Sequence, residues 1–286
     1  MAGIAQSVPL RSKPELVIRG GPGRASVAGL RELWIFREVL TAFVARQVKV
    51  KYKQAAIGLG WVVIQPLLSA GLFAVFLGRL SKIPSQGEPY FLFALAGMVG
   101  WTSFSTGAAA AMESLVADQV MLRKVYFPRE ILPLAAVGAM LVDLVPALAT
   151  LVVAALLYGS LPATSWLALP LVLALLVLPA LGVGLALSSV NVFYRDVRYA
   201  LPFVLQLGLF ASPVVYSLSA VPASWRTVYA ILNPLAAGID GLRRVVIDGA
   251  LPHAAITFGA LGWSVALVVG GYLLFKRLER GFSDRV

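Results

Sequence analysis

Apolar residues in this chain gather into six long runs that are separated by connections carrying most of the charge. A bilayer core takes about 20 helical residues to cross. The runs therefore predict six transmembrane helices, at residues 56–77, 90–111, 132–157, 166–190, 199–215 and 254–275. The fifth run is the shortest and has Pro202 and Pro213 near its ends, which membrane helices tolerate when neighbours satisfy the freed carbonyls. The pattern predicts an all-α integral membrane protein.

The segment before the first run has the periodicity of an amphipathic helix. At 100° per residue, one stripe holds Leu33, Phe36, Leu40, Phe43 and Val44, and the opposite face holds Arg31, Glu38, Arg46, Lys49 and Lys53. Arg37 and Lys51 interrupt the apolar side. Such a helix is expected to lie along the inner leaflet. The alternative is a basic topology anchor with no mechanical role.

Residues 216–252 contain no apolar stretch long enough to cross, and prolines and glycines interrupt them. Trp225 and Tyr229 carry the amphipathic rings favoured at the headgroup level. We predict short interfacial or re-entrant helices on the outer side before the last span, with a disordered loop as the alternative.

The charge pattern fixes the expected orientation. With the predicted spans, 19 of the 24 lysine and arginine residues lie on the side that holds both termini, and cations near short loops stay cytoplasmic. The net charge of +11 sorts by membrane side, so we expect no nucleic-acid partner. The predicted divisions are a flexible cytoplasmic tail at 1–29, an amphipathic interface helix at 30–54, a six-span domain at 55–276 and a cytoplasmic tail at 277–286.

Several kinds of chemistry are missing from the sequence. There is no cysteine, and His253 is the single histidine, which argues against a thiol nucleophile and a zinc site. No glycine-rich phosphate loop is present, and the scattered carboxylates argue against a membrane-embedded glycosyltransferase. We expect no catalytic residue, no metal and no cofactor bound by this chain.

Asp143 is the one acidic residue well inside a predicted span, and Glu113 lies at the cytoplasmic edge of another. A carboxylate at that depth often marks an ion pathway, so a carrier driven by an ion gradient is possible. The alternative for Asp143 is a helix-packing hydrogen bond beside Pro146.

The connection at residues 118–133 combines a short helical run, the basic pair Arg123 and Lys124, and two aromatic residues, Tyr126 and Phe127, that we expect to be exposed. Exposed aromatics flanked by arginine are typical of a surface that binds a protein partner. A plain basic cytoplasmic loop is the other interpretation.

Five short stretches together resemble the membrane subunits of ABC-type exporters of polysaccharides and polyol phosphates, which serve O-antigen, capsule and teichoic acid. They are RQVKVKYKQ at 46–54, IGLGW at 57–61 with Pro66, RKVYFPREILP at 123–133, NVFYRDVR at 191–198 and NPL at 233–235. The likeness runs from about residue 30 to the carboxyl end. Gln47 stands where the family often has an aspartate, which weakens a salt bridge there.

The resemblance implies a permease that works as a homodimer with two copies of a separate ATPase, which binds ATP and Mg²⁺. It implies a multi-pass protein of the cell inner membrane that exports a lipid-linked glycan. Residues 30–53 would form a gate helix and 216–252 outer gate helices. The ATPase would seat the coupling residues Arg123, Lys124, Tyr126, Phe127, Pro128, Arg129 and Glu130.

A hydrated glycan needs partners while it crosses a bilayer, and aromatic rings can stack on its apolar faces. The candidate channel aromatics are Trp61, Phe73, Phe76, Tyr90, Trp101 and Phe104, although interface anchoring or packing is the alternative for each. A lipid headgroup could be held by Arg46, Lys49, Lys51, Tyr52 and Lys53, in competition with ordinary attraction to anionic lipid. The alternative functions are ABC export of a small molecule or lipid, and ion-driven transport.

Overall fold

The computed structural model describes residues 27–53, 57–81, 87–160 and 164–282, and all regular structure in those ranges is helical. The predicted tail at 1–29 falls mostly outside the described residues, as does the end of the carboxyl tail. The helices are α1 (Val27–Ile35), α2 (Arg37–Tyr52), α3 (Gly60–Phe73), α4 (Tyr90–Ala117), α5 (Gln119–Lys124), α6 (Ile131–Leu157), α7 (Leu169–Phe193), α8 (Val197–Ala211), α9 (Ala223–Leu232), α10 (Pro234–Val246) and α11 (Ala254–Glu279). A π-helix, Ala74–Leu80, continues α3, and 3₁₀ turns lie at Thr164–Ala168 and Leu218–Ala220.

Five helical segments of the described chain are long and apolar enough to cross a membrane: Gly60–Leu80, Tyr90–Ala117, Ile131–Leu157, Thr164–Phe193 and Ala254–Glu279. Each overlaps a run identified from the sequence. The fifth predicted span differs, because α8 has only 15 residues and ends at Ala211. Its predicted end at residue 215 is therefore wrong, and the chain beyond Ala211 is held by side chains from other helices.

The centre of the bundle is α4, which is buried along most of its length and packs against α3, α6, α7 and α10. Its sequence is rich in alanine, glycine and serine, and small residues allow membrane helices to approach closely. Gly184 of α7 shows this closeness, since a Cβ atom there would lie 2.5 Å from the Cβ of Ala111 in α4.

The tightest backbone contact joins α7 to α11. A Cβ atom added to Gly271 would lie 2.2 Å from the carbonyl oxygen of Gly182, and one added to Gly182 would lie 2.6 Å from the carbonyl carbon of Leu267. Both distances are too short for any side chain, so glycine at these positions sets the spacing of the two helices.

The amphipathic segment folds as α1 and α2, and α2 packs against α6. Phe43 is buried, and a Cβ atom on Gly138 of α6 would lie 2.7 Å from Val44. The apolar stripe predicted from the sequence therefore faces α6 at these two positions. The described part of 216–252 folds into the Leu218–Ala220 turn, α9 and α10 rather than a disordered loop. The depth of these helices in a bilayer stays a prediction.

Candidate functional site

The predicted coupling segment presents one exposed surface. Val120 of α5 is 68% exposed, and Val125 and Tyr126, which follow the helix, are 55% and 52% exposed. Lys124 is exposed beside them. The chain therefore carries an apolar and cationic patch at the end of α5, which has the composition of a protein-binding surface. We call these four residues the α5 patch.

The prediction that Phe127 is exposed is wrong. Its side chain is 5% exposed and its ring centroid lies 5.2 Å from that of Phe43 in α2. Pro128 is buried too, and Glu130 is fully buried. In the single chain these residues pack into the interior and hold the connection between α5 and α6 in place. They do not contribute to the α5 patch.

Glu130 is paired with a lysine from the far end of the sequence. Lys276 Nζ in α11 donates to Glu130 Oε2 at 2.9 Å and lies 2.8 Å from Oε1, and it also donates to Glu279 Oε2 at 3.0 Å. Arg129 donates to the carbonyl oxygen of Glu279 at 3.2 Å. The connection before α6 is thus fastened to the end of α11 by a buried ionic network.

The helix α2 is fastened to the same region. Arg46 Nη1 donates to Asp118 Oδ1 at 2.8 Å, next to the start of α5. Gln47 lines a neighbouring groove, so Arg46 takes its acidic partner from another helix end rather than from position 47. Lys49 and Lys53 are exposed.

Asp143 joins α6 to the carboxyl end of α2. Its Oδ2 accepts a hydrogen bond from Lys51 Nζ at 2.5 Å, and its Oδ1 accepts one from the Tyr52 hydroxyl. Burial, together with the bond to Asp143, raises the pKa of the Tyr52 hydroxyl, which therefore remains a donor. This is the packing role considered for Asp143 from the sequence, although its partners lie on α2 and were not identified there.

A groove of about 520 Å³ runs between α2, α4 and α6 beside these bonds. Its polar lining includes Arg46, Lys51, Glu113, Asp118 and Asp143. A smaller recess of about 100 Å³ lies beyond it and brings Trp61 and Thr102 next to Lys51, Tyr52 and Asp143. Of the residues predicted for a headgroup, Arg46 and Lys51 line the groove, and Lys51 and Tyr52 line the recess together with one predicted channel aromatic, Trp61.

We expect Asp143→Ala to loosen α2 from α6, because the substitution removes both acceptors that hold its last turn. Spin labels on Val50→Cys and Val145→Cys, two exposed positions in a chain without native cysteine, would report a broader distance distribution in samples diluted with unlabelled chain. Glu113→Ala is the control, because the one ion pair of that carboxylate among the described residues is with exposed Arg198, at 3.1 Å. An unchanged distribution in Asp143→Ala would contradict this role.

The six predicted channel aromatics do not share one surface. Trp101 and Phe104 are 5% and 8% exposed and pack on each other with centroids 5.7 Å apart. Tyr90 donates to the carbonyl oxygen of Val215 at 2.6 Å, and Phe73 is partly buried. Trp61 and Phe76 are more than half exposed. The packing interpretation describes Trp101 and Phe104 in this chain, and the channel role stays a prediction for the exposed pair.

Beyond α8 the backbone is irregular, and Arg243 of α10 binds it. The buried guanidinium donates to the carbonyl oxygens of Pro213 at 2.8 Å, Val214 at 2.6 Å and Phe93 at 3.2 Å, and it lies over the Phe93 ring at 3.5 Å. Unpaired carbonyls are costly away from water, and five donors in a planar fork suit several acceptors at once.

Other side chains complete the support of this segment. Tyr229 donates to the carbonyl oxygen of Ala211 at 2.6 Å, and Asn233 donates to Ser212 Oγ at 3.0 Å. Gly97 of α4 makes room for the loop, because a Cβ atom there would lie 2.3 Å from the Val214 carbonyl oxygen. These contacts explain why α8 stops at Ala211.

Sequence reasoning missed the roles of Arg243 and Lys276, which it counted only as charges on one side or the other. A signal was present for Arg243, because the sequence places two adjacent arginines inside a mostly apolar segment. Nothing local distinguishes Lys276 from the other cations of the carboxyl tail. Within the described ranges, no group of histidine, cysteine, aspartate and glutamate side chains could hold a metal ion.

Five apolar helices of spanning length, packed around α4 and joined by short amphipathic helices, define a multi-pass integral membrane protein. Comparison with known families makes this more specific. Residues 38–247 match the family described as ABC-2 type transporter. Since the match covers well over half of the sequence, the chain belongs to that family.

The chain is similar over most of its length to curated transport proteins. It is 26% identical over 258 residues to the O-antigen export system permease protein RfbA of Myxococcus xanthus, covering 90% of this chain and 98% of the relative. It is 27% identical over 250 residues to the protein of the same name from Klebsiella pneumoniae, with 86% and 94% covered. It is 22% identical over 246 residues to the polysialic acid transport protein KpsM of Escherichia coli, with 83% and 93% covered. The resemblance drawn from the motifs is confirmed.

Proposed function

We propose that this chain is the transmembrane subunit of an ABC exporter that moves a lipid-linked, O-antigen-like polysaccharide across the cytoplasmic membrane. ATP hydrolysis takes place in a separate ATPase subunit, present in two copies, which binds ATP and Mg²⁺. Two copies of the chain form the pore, and both termini are cytoplasmic. Support for the cargo comes from the names of relatives that align over nearly their whole length.

The observation that carries the mechanism is the contrast between the two halves of the coupling segment. The α5 patch is exposed, while Phe127 and Glu130 directly after it are buried. An ATPase seated on the patch would push on a loop that packs against α2 and is ion-paired to α11. Movement of the ATPase would therefore reach α2, α6 and α11 together.

The groove between α2, α4 and α6 lies where this movement would act. Arg46 and Lys51 line it, and cations at such a mouth suit the phosphate groups of a lipid carrier. Displacement of α2 would open or close the groove, because α2 forms one of its walls. The ion pairs to Asp118 and Asp143 would pass movement of α5 and α6 to α2. In this proposal α2 is the gate helix.

Tyr126→Ala tests the coupling surface. We expect at least a tenfold loss of affinity for the ATPase subunit, because a half-exposed aromatic at the centre of an interface typically dominates binding. Co-purification of the two subunits and the amount of polymer at the cell surface are the measurements. The chain itself should keep its stability.

Tyr158→Ala is a matched control, since Tyr158 is 53% exposed and lies at the opposite end of α6. Phe127→Ala separates packing from docking: its buried ring predicts a loss of about 3–5 kcal/mol in folding stability. If Tyr126→Ala bound the ATPase and exported polymer as well as Tyr158→Ala, the coupling assignment would be wrong.

The main alternatives make different demands. Ion-driven transport through Asp143 would need that carboxylate to be open to the transported ion, yet it accepts hydrogen bonds from both Lys51 and Tyr52. Transport measured in vesicles that receive ATP but have no ion gradient would distinguish ATP-driven from ion-driven transport. Export of a small molecule or lipid would leave the coupling surface as it is, and an assay with labelled polymer separates that cargo from a glycan.

A further inference from the structure

A second cavity lies at the other end of the bundle, where α9 and α10 meet the start of α11. It measures about 370 Å³, and its polar lining comprises Ser219, Arg226, Thr227, Asp240, Arg244 and His253. None of these residues belongs to the coupling segment or to the groove beside α2. The chain's single histidine is among them.

The two arginines are positioned by the backbone and retain free donors. Arg226 donates from Nε and Nη2 to the carbonyl oxygens of Val221 and Ser219, at 3.3 and 2.9 Å. Arg244 donates from Nε to the carbonyl oxygen of Leu251 at 3.0 Å. Among the described residues, Arg226 Nη1 and both Nη atoms of Arg244 have no hydrogen-bond partner. These donors are therefore oriented and available.

The electrostatic balance of the cavity is positive. Asp240 is its one carboxylate. Burial raises the pKa of Asp240, while Arg243, Arg244, His253 and Arg226 act in the opposite direction. Within the described lining two arginines outnumber one carboxylate, which leaves the site suited to an anion, and the planar guanidinium matches the geometry of a phosphate group.

An apolar strip lies on the same short helix as Arg226. Trp225, Val228 and Leu232 of α9 are 67%, 48% and 55% exposed, and their spacing of three and four residues places them on one face. Tryptophan is favoured at the headgroup level of a bilayer. An anion site beside such a strip matches a molecule with a charged head and hydrocarbon chains.

We infer that this cavity binds the phosphate of an anionic phospholipid from the leaflet nearest α9, with the acyl chains lying along Trp225, Val228 and Leu232. Arg226 and Arg244 hold the phosphate, and Thr227 and His253 line the same cavity. The inference does not depend on the cargo or on the ATPase.

The test uses the purified full chain in detergent with phosphatidylglycerol or phosphatidylcholine, and native mass spectrometry counts the bound lipid and the mass of the assembly. We expect preference for phosphatidylglycerol, and a loss of at least about tenfold in its affinity in Arg226→Gln/Arg244→Gln, because two charge-assisted contacts are removed. Arg79→Gln is the control, with the same charge change at an exposed position of the same end of the bundle.

Asp240→Asn should change phosphatidylglycerol affinity in the opposite direction, with little change in the shape of the side chain. Removing the one carboxylate among the described lining residues should strengthen phosphatidylglycerol binding by severalfold, and it keeps the test valid if the double variant folds poorly. The inference would be overturned if Asp240→Asn weakened binding, or if the double variant bound as the parent does. It would also be overturned if inorganic phosphate displaced the lipid at equal concentration, or if the double variant changed only the assembly's mass, which would indicate a contact between copies.

Discussion

Glu130→Ala is expected to destabilise the full-length chain by about 3–5 kcal/mol, the usual cost of leaving one partner of a buried ion pair uncompensated. Glu130 is fully buried, and the side chain of Lys276 is 8% exposed, so water cannot replace the lost carboxylate. Glu279 also accepts a bond from Lys276, at 3.0 Å, and its presence places the cost toward the lower end of that range. Thermal unfolding in detergent would measure it.

Two further variants make this result specific. Glu113→Ala removes an exposed carboxylate that pairs with exposed Arg198, and such pairs contribute about 0–1 kcal/mol. Glu130→Ala combined with Lys276→Met removes both charges and should recover much of the loss. Equal melting temperatures for Glu130→Ala and Glu113→Ala would show that the network does not hold the loop to α11.

Arg243→Met is expected to cost about 3 kcal/mol or more, because the carbonyl oxygens of Phe93, Pro213 and Val214 lose their donors at once. Methionine fills much of the same volume, so packing changes little. We expect the segment after α8 to become accessible, which labelling of Ser212→Cys would detect, since Ser212 is 3% exposed in the parent.

Arg243→Lys should be intermediate, because an ammonium group keeps the charge but cannot reach three separated carbonyls with a fixed planar fork. Arg79→Met serves as the control at an exposed position of the same end of the bundle. If Ser212→Cys stayed protected in the Arg243→Met background, the arginine would not be what secures the segment.

The amino-acid sequence predicts the spanning helices well because length and apolarity decide them locally. Five of the six runs correspond to helices in the structure. The exception is the fifth run, whose predicted end lies four residues too far along the chain, since residues 212–215 look suitable for a span by composition. Their helix is broken by bonds to Arg243, which follows 30 residues later and whose partners no local pattern reveals.

The candidate site could be predicted in outline from the sequence. The one wrong detail, the exposure of Phe127, again depends on a contact with a distant part of the chain. Basic and aromatic residues at 123–130 indicated a binding surface, and Lys124 and Tyr126 are indeed exposed. Phe127 follows the same local pattern, but its partner Phe43 lies on α2, so its burial depends on tertiary packing. A carboxylate at the depth of Asp143 needs a hydrogen-bond partner, and the sequence did not identify α2 as the helix that supplies it.

The contact between Gly182 and Gly271 packs α7 directly against α11, so the two helices form one closely packed pair. The two backbones approach too closely here for any side chain to lie between them, so a tilt of one helix would press directly on the other. The 26 residues of α11 extend about 39 Å at 1.5 Å per residue. A tilt applied at Lys276 would therefore be carried by both helices to the opposite surface, close to His253 and the cavity it lines.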